Sequence, residues 1–313
     1  MKQVYQASGS NTEWRTLIKA SLKSFSQIMF IENAVAGLII LIGILVASVS
    51  VGIVAFLSAL IAACVGRIGG ADKGLVNQGL IGFNSVLSGM ALFLYMTGGQ
   101  RWIIALVGAA VTAIFSAAMM HMMRNTGLPV FTFPFVVWTW LILLASYRQG
   151  MFQLNQALVP QNLTQWEWQK SGAIDWIQGL VNGIGSVYFQ NNIFSVVLIL
   201  IGVSWANLKI GMYTVIGAII AGLAAYGLGA EISLLNSGVY VFNAVLTFIA
   251  VGMIFVSNSR LAPVTGILAA LVSIPITAGM SSFLLPFGLS PLSMPFVLVT
   301  WVFLASRKVL PNW

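Results

Sequence analysis

The residues of this chain with chemistry to offer are few, and they come in pairs. Phe83-Asn84, followed one helical turn later by Leu87, recurs as Phe242-Asn243 and Leu246. On a helix, positions i and i+4 share a face, so each Phe–Leu pair presents one apolar patch. If the two copies are arranged with opposite orientations about a common axis, the patches turn toward each other. Two flat rings facing across that axis would make a slot for a flat, uncharged solute. Thr132 and Ser293 form a second pair, each two residues before a proline, Pro134 or Pro295. Proline has no backbone N–H to give, and broken helix at membrane depth is tolerated only where it is buried in protein or lines a cavity. A hydroxyl beside freed carbonyls would form a strip of hydrogen-bond acceptors there.

The titratable residues point away from catalysis. The chain has six carboxylates, one histidine (His121) and one cysteine (Cys64). A metal site usually needs several His, Cys or carboxylate ligands, so no metal centre is expected and no cofactor is implied. Asp72 and Glu231 precede glycine- and asparagine-rich helix entries, where a carboxylate complements the helix dipole. Glu32 lies nearest the interior of a hydrophobic span, and an acid there is a functional candidate by default. Gln27 precedes the same span by one turn from Phe30 and could hydrogen-bond a solute at a pore mouth. His121 closes a span and is expected at an interface.

These residues sit in a chain that cannot be a water-soluble globule. Of its 313 residues 59% are hydrophobic and only 6% charged, against about 25% charged in soluble domains. An all-α polytopic membrane protein follows, with spans of roughly 20 apolar residues expected at about 28–47, 50–67, 78–97, 102–122, 133–147, 185–205, 210–228, 237–257, 262–282 and 293–306. The fifth and tenth are short for a full crossing. Ten spans put both ends on one side. That side then carries 11 basic residues (Lys2, Arg15, Lys19, Lys23, Arg67, Lys73, Arg124, Lys209, Arg260, Arg307 and Lys308) against three (Arg101, Arg148 and Lys170) on the other. Basic loops stay in the cytoplasm, so both termini are expected there. The net charge of +8 is thereby assigned to membrane topology and not to nucleic acid.

The pairing extends along the chain. Phe30 matches Phe189, Asn33 Asn192, Gly43 Gly202, Asp72 Glu231, Asn77 Asn236 and Gly79 Gly238, all 159 positions apart. Later, Thr132 matches Ser293, Pro134 Pro295 and Thr139-Trp140 Thr300-Trp301, 161 apart. Five spans per copy is an odd number, so the second copy must enter the membrane upside down, which places a pseudo-two-fold axis in the membrane plane. The expected organisation is a cytoplasmic N-terminal segment 1–25, a first five-helix repeat 26–147, an extracytoplasmic linker 148–184 and a second, inverted repeat 185–308, with re-entrant half-helices around a central pore. Ion coupling wants buried charge, and the span interiors have almost none, which favours passive conduction.

The segments Gln27-Ile28-Met29-Phe30, Leu75 through Gly89 and Leu128-Pro129-Val130-Phe131-Thr132-Phe133-Pro134-Phe135, with their degraded second copies, resemble the urea transporter family. The resemblance covers about residues 25–310. It implies a homotrimer in the cell (inner) membrane with one pore per protomer, and channel-like passage of urea. Carried over by position, the lining is Gln27, Phe30, Phe83 and Leu87 at one site, Ser186, Val187, Phe242 and Leu246 at the other, with Thr132 and Ser293 between. Two positions depart from the family. Ser293 stands where threonine is common and keeps the hydroxyl, whereas Ser186 replaces a longer Gln or Glu and reaches less far toward a solute. A channel for another small neutral solute, such as ammonia or a short amide, and an ion-coupled transporter are the alternatives.

Overall fold

The structure is a computed structural model and describes residues 2–155, 158, 160–161, 172–256 and 261–310. Among these residues the elements are helices: α1 (Lys2–Gln27), α2 (Ala34–Ala47), α3 (Val49–Ile68), α4 (Lys73–Asn77), α5 (Gly82–Tyr95), α6 (Arg101–Met123), α7 (Phe133–Ala145), α8 (Trp176–Gly185), α9 (Ile193–Ala206), α10 (Leu208–Gly227), α11 (Ile232–Asn236), α12 (Val239–Ile249, prolonged by a π turn at Ala250–Ile254), α13 (Ala262–Leu284) and α14 (Met294–Ser306). Lys170 and Arg260, used above for orientation, and part of the 148–184 linker lie outside the described residues.

Each of the ten expected spans contains one apolar helix, but not every one is long enough to cross. Val49–Ile68, Arg101–Met123, Leu208–Gly227 and Ala262–Phe287 are. Trp176–Tyr188 and Ile193–Ala206 make a fifth together, bent by 63°. Ala34–Ala47, Gly82–Tyr95, Phe133–Ala145, Val239–Ile254 and Met294–Ser306 are shorter. The outer surface is apolar: Val35, Leu38, Ile42 and Val46 on α2, and Phe194, Val197, Ile201 and Trp205 on α9, are exposed. With no water to satisfy backbone groups in lipid, a polytopic bundle of helices is the solution such a surface requires.

The N-terminal segment expected over 1–25 is described from Lys2 onward. It is most of α1, and Leu17, Ala20, Ser21, Ser24 and Phe25 are buried where α1 packs on α2, α3 and α5. Its buried serines are bonded within the helix. Ser21 donates to Leu17 C=O (2.9 Å) and Ser24 to Ala20 C=O (3.2 Å), which hides their polarity within the helix.

Breaks and caps recur at the paired positions. Phe30 and Phe189 (φ 61° and 57°), Phe131 and Leu292 (φ 50° and 49°), Gly79 and Gly238, and Gly70 and Gly229 all have positive φ. Asn33 and Asn192 cap α2 and α9 alike, each accepting from the two backbone N–H groups of the first turn. Asp72 caps α4 in this way, with Gly74 N–H at 2.7 Å. Glu231, expected to match it, makes no such bond and instead accepts from the Ser233 hydroxyl at 2.7 Å. Glu32 is exposed and paired with Lys23 at 2.6 Å.

The two sets of helices touch reciprocally. α2 and α9 pack extensively. A Cβ built on Gly43 would lie 3.0 Å from Ser195 O, and one on Gly202 would lie 3.1 Å from Ala36 O. Early residues of α2 therefore meet late residues of α9, so the two helices run antiparallel. Trp140 Nε1 donates to Ser290 C=O (2.9 Å), and Trp301 Nε1 donates to Pro129 C=O (2.7 Å).

Candidate functional site

Helix α1 ends in a turn that determines where a ring goes. Ile31 N–H reaches back to Ser26 C=O (3.0 Å), the closure that usually places glycine in the left-handed position before it. Here that position is Phe30. A bulky residue at positive φ is an outlier, costing of order 1–3 kcal/mol and persisting where the surroundings over-determine it. The same turn closes after α8, where Gln190 N–H meets Gly185 C=O (2.9 Å) and the left-handed residue is Phe189.

The short helices α7 and α14 begin the same way. Asn84 Nδ2 donates to Phe131 C=O (3.0 Å) while its Oδ1 accepts from Phe135 N–H (3.4 Å). Asn243 does the same with Leu292 C=O (3.1 Å) and Phe296 N–H (3.1 Å). Both asparagines are fully buried. An amide with a donor and an acceptor can satisfy one orphan group of each kind at a helix start. Asn84 and Asn243 thus hold α7 and α14 in place, a role the sequence pattern flagged without revealing.

Two cavities lie between these elements. The larger, of about 210 Å³, is lined by the rings of Tyr95, Phe135, Phe189 and Phe242 and by Ser186, Ser237, Ser290 and Ser293, with Val187, Leu87 and Leu246. We call it the serine cavity. The other, of about 170 Å³, is walled by Phe30, Phe83, Phe131, Phe255 and Phe296, with Gln27 also in its lining. We call it the phenylalanine cavity. Thr132 and Ile28 line both. Many lining residues correspond across the repeat: Phe189 with Phe30, Ser186 with Gln27, Phe242 with Phe83, Ser290 with Pro129 and Phe135 with Phe296. At the junction Ser293 Oγ donates to Thr132 Oγ1 at 2.7 Å, so the paired hydroxyls meet each other. Among the described residues, neither cavity has an Asp, Glu, Lys, Arg or His in its lining.

Gln27, Phe30 and Phe83 line one cavity, and Ser186, Val187, Phe242, Leu246 and Ser293 the other, with Thr132 shared. Two residues are grouped otherwise than the sequence suggested. Leu87, grouped above with Phe83, lines the serine cavity beside Leu246. Four residues of α5 separate it from Phe83 by about 6 Å along the helix axis. Phe83 and Phe242 line different cavities. Each shares its cavity instead with the left-handed ring, Phe30 or Phe189. Those rings meet the short helix of the other set: Phe30 lies 6.1 Å from Phe296, and Phe189 lies 6.1 Å from Phe135. Gln27 is held by its side-chain amide, which donates to Gln78 C=O at 3.0 Å, leaving its carbonyl oxygen as an acceptor in the cavity lining.

Sequence reasoning missed Tyr95, Phe131, Phe135, Phe189, Ser290 and Phe255. For Phe189 the signal was present, since it is the repeat partner of Phe30. For Phe131 it lay in the recurring segment before Pro134. Nothing in the spacing marks Phe255.

Apolar helices facing lipid outside and uncharged cavities inside define a polytopic membrane protein. The chain belongs to the urea transporter family, whose model matches residues 18–308. It is 25% identical over 296 residues to urea transporter 1 of Capra hircus and of Ovis aries, and 24% identical to urea transporter 1 of Rattus norvegicus. Each match covers 93% of this chain and 77% of the relative.

Proposed function

We propose that this chain conducts urea passively across a cell (inner) membrane, through one pore in each protomer of a homotrimer, with both termini cytoplasmic. Two inverted five-helix units, about 26–147 and 185–308, build the pore. The pathway runs through the serine cavity, past Thr132 and Ser293, and through the phenylalanine cavity. The observation that carries this is the meeting of two uncharged, ring-walled cavities at a buried hydroxyl pair. The family membership and the reciprocal contacts of α2 with α9 support it.

Urea is planar and neutral, with one acceptor and four N–H donors. Flat rings admit its faces and resist bulkier solutes. Its N–H groups are received by the Gln27 carbonyl at one end, the Thr132 and Ser293 oxygens in the middle and the serine hydroxyls beyond. Ser293 spends its proton on Thr132, which leaves lone pairs on both oxygens for a passing donor. Several neighbouring acceptors keep each binding step shallow, as conduction requires. An ion gains no compensating charge from such walls and would lose its hydration at a large cost. Ser186 is shorter than the residue common in the family, and Ser237 and Ser290 supply acceptors in the same cavity.

Stopped-flow measurement of urea entry into liposomes containing only this protein tests the proposal, with thiourea, ammonia and glycerol alongside. Urea flux above that of empty liposomes, independent of imposed proton or sodium gradients, is expected. Folded, incorporated protein that passes no urea, or passes it only along an ion gradient, overturns it.

A further inference from the structure

Helices α5 and α12 end beside corresponding walls of the two cavities, but they end differently. At the end of α5, Tyr95 stands edge-on to Phe189, with centroids 6.1 Å apart and planes at 85°. Loop residues tie that end down. Asn155 N–H donates to Tyr95 C=O (2.8 Å), and its side-chain amide donates to Leu94 C=O (3.4 Å).

The residue of α12 in register with Tyr95 is Ile254. An uninterrupted α-helix would therefore leave the phenylalanine cavity without a ring at the matching place. Instead the chain winds a π turn at Ala250–Ile254, closed by Phe255 N–H to Ala250 C=O at 2.9 Å. The wider turn brings Phe255 edge-on to Phe30, at 6.0 Å and 89°, and to Phe131, at 5.4 Å and 89°. Phe255 thus meets Phe30 much as Tyr95 meets Phe189, one residue out of register. π turns are rare and concentrate at functional sites.

A helix end within a membrane protein leaves carbonyls that need donors. Arg307, just past α14, supplies them. Its guanidinium donates to Val251 C=O (2.9 Å), to Phe255 C=O and to Thr265 Oγ1 (3.2 Å). A rigid fork of five N–H donors can span carbonyls on successive turns, which a lysine ammonium cannot do as well.

We propose that Phe255 is a specificity-determining residue of the phenylalanine cavity, setting how wide a solute passes, and that Arg307 is its positioning residue, clamping the π turn. The proposal rests on the urea-conduction reading above and adds to it a size filter in the phenylalanine cavity whose ring is placed by a π turn, where the serine cavity has Tyr95 at the end of an ordinary helix. The discriminating measurement is the flux of dimethylurea relative to urea in proteoliposomes. Misfit of one methyl-sized group in an apolar site is worth tenfold or more. Phe255→Ala should raise the dimethylurea-to-urea ratio about tenfold. Arg307→Ala should raise it comparably, the double variant no further, and Arg307→Lys should fall between wild type and Arg307→Ala.

Hydrogen exchange of the amides at 251–255, followed by mass spectrometry, reads the clamp without any transport. It should quicken in Arg307→Ala and stay near wild type in Phe255→Ala. An unchanged flux ratio in Phe255→Ala overturns the filter, and unchanged exchange in Arg307→Ala overturns the clamp. If Arg307→Ala does not fold, Phe255→Ala and Phe255→Leu, which leave the guanidinium contacts in place, still decide the filter. Wild-type protein that passes neither solute sinks the conduction reading, while the exchange experiment still judges Arg307.

Discussion

Replacing Thr132 by valine keeps the shape of a β-branched side chain and removes one oxygen at the junction of the two cavities. Thr132 makes no side-chain cap for α7, and its backbone C=O still accepts from Val136 N–H at 3.1 Å, so the helix start survives. What is lost is the acceptor for Ser293 Oγ, at 2.7 Å, and one landing point for a urea N–H. A neutral hydrogen bond contributes about 0.5–1.5 kcal/mol net. If the solute makes that bond at the highest point of its path, flux should fall by roughly two- to tenfold, since about 1.4 kcal/mol is a factor of ten. The Ser293 hydroxyl, buried and newly without its acceptor, should also cost about 1–3 kcal/mol of stability. Thr132→Ser restores an oxygen and should recover most of the flux. The assay is stopped-flow urea entry, normalised to incorporated protein and read beside the melting temperature in detergent. Unchanged flux in Thr132→Val at equal incorporation would remove the hydroxyl pair from the pathway, and with it the idea that the two cavities form one passage.

Other outcomes follow from the same geometry. Asn84→Leu or Asn243→Leu should lower stability by about 2 kcal/mol or more, because each leaves a buried carbonyl and a helix-start N–H without partners; thermal unfolding checks this. Gly79→Ala should cut the yield of folded protein in the membrane, because the residue has φ +78° and an added Cβ would sit 2.6 Å from Ser24 N; gel filtration of solubilised protein reports it. Glu32→Gln should leave urea flux unchanged and alter stability by less than about 1 kcal/mol, since its pairing with Lys23 is exposed. Urea flux should be flat between about pH 5.5 and 8, because among the described residues no His, Asp or Glu lines either cavity; a bell or a step in that window would require a titrating group in the path.

The sequence carried much of this because duplication writes the same constraint twice. The two Phe-Asn-x-x-Leu copies marked Asn84 and Asn243 before either had a visible task, and the paired Thr132 and Ser293 turned out to touch. The losses have definite causes. Leu87 went to the other cavity because spacing along a helix gives a face and not a depth. Three of the apolar helices, α2, α5 and α12, proved shorter than their expected spans because left-handed residues such as Phe30, Gly79 and Gly238 interrupt the apolar runs. Phe255 was illegible because it depends on a local change of helical winding, which shifts the register by one residue without altering composition.

The crossed tryptophan bonds bear on how the molecule is made. Trp140 finds its carbonyl at Ser290, and Pro129 finds its indole at Trp301, so the earlier-synthesised partner in each bond waits for a segment near the far end of the chain. A nascent protein halted after α7 has an indole N–H and a carbonyl still seeking each other's later counterparts inside the bilayer. These two bonds can therefore close only once the end of the second set of helices has been made.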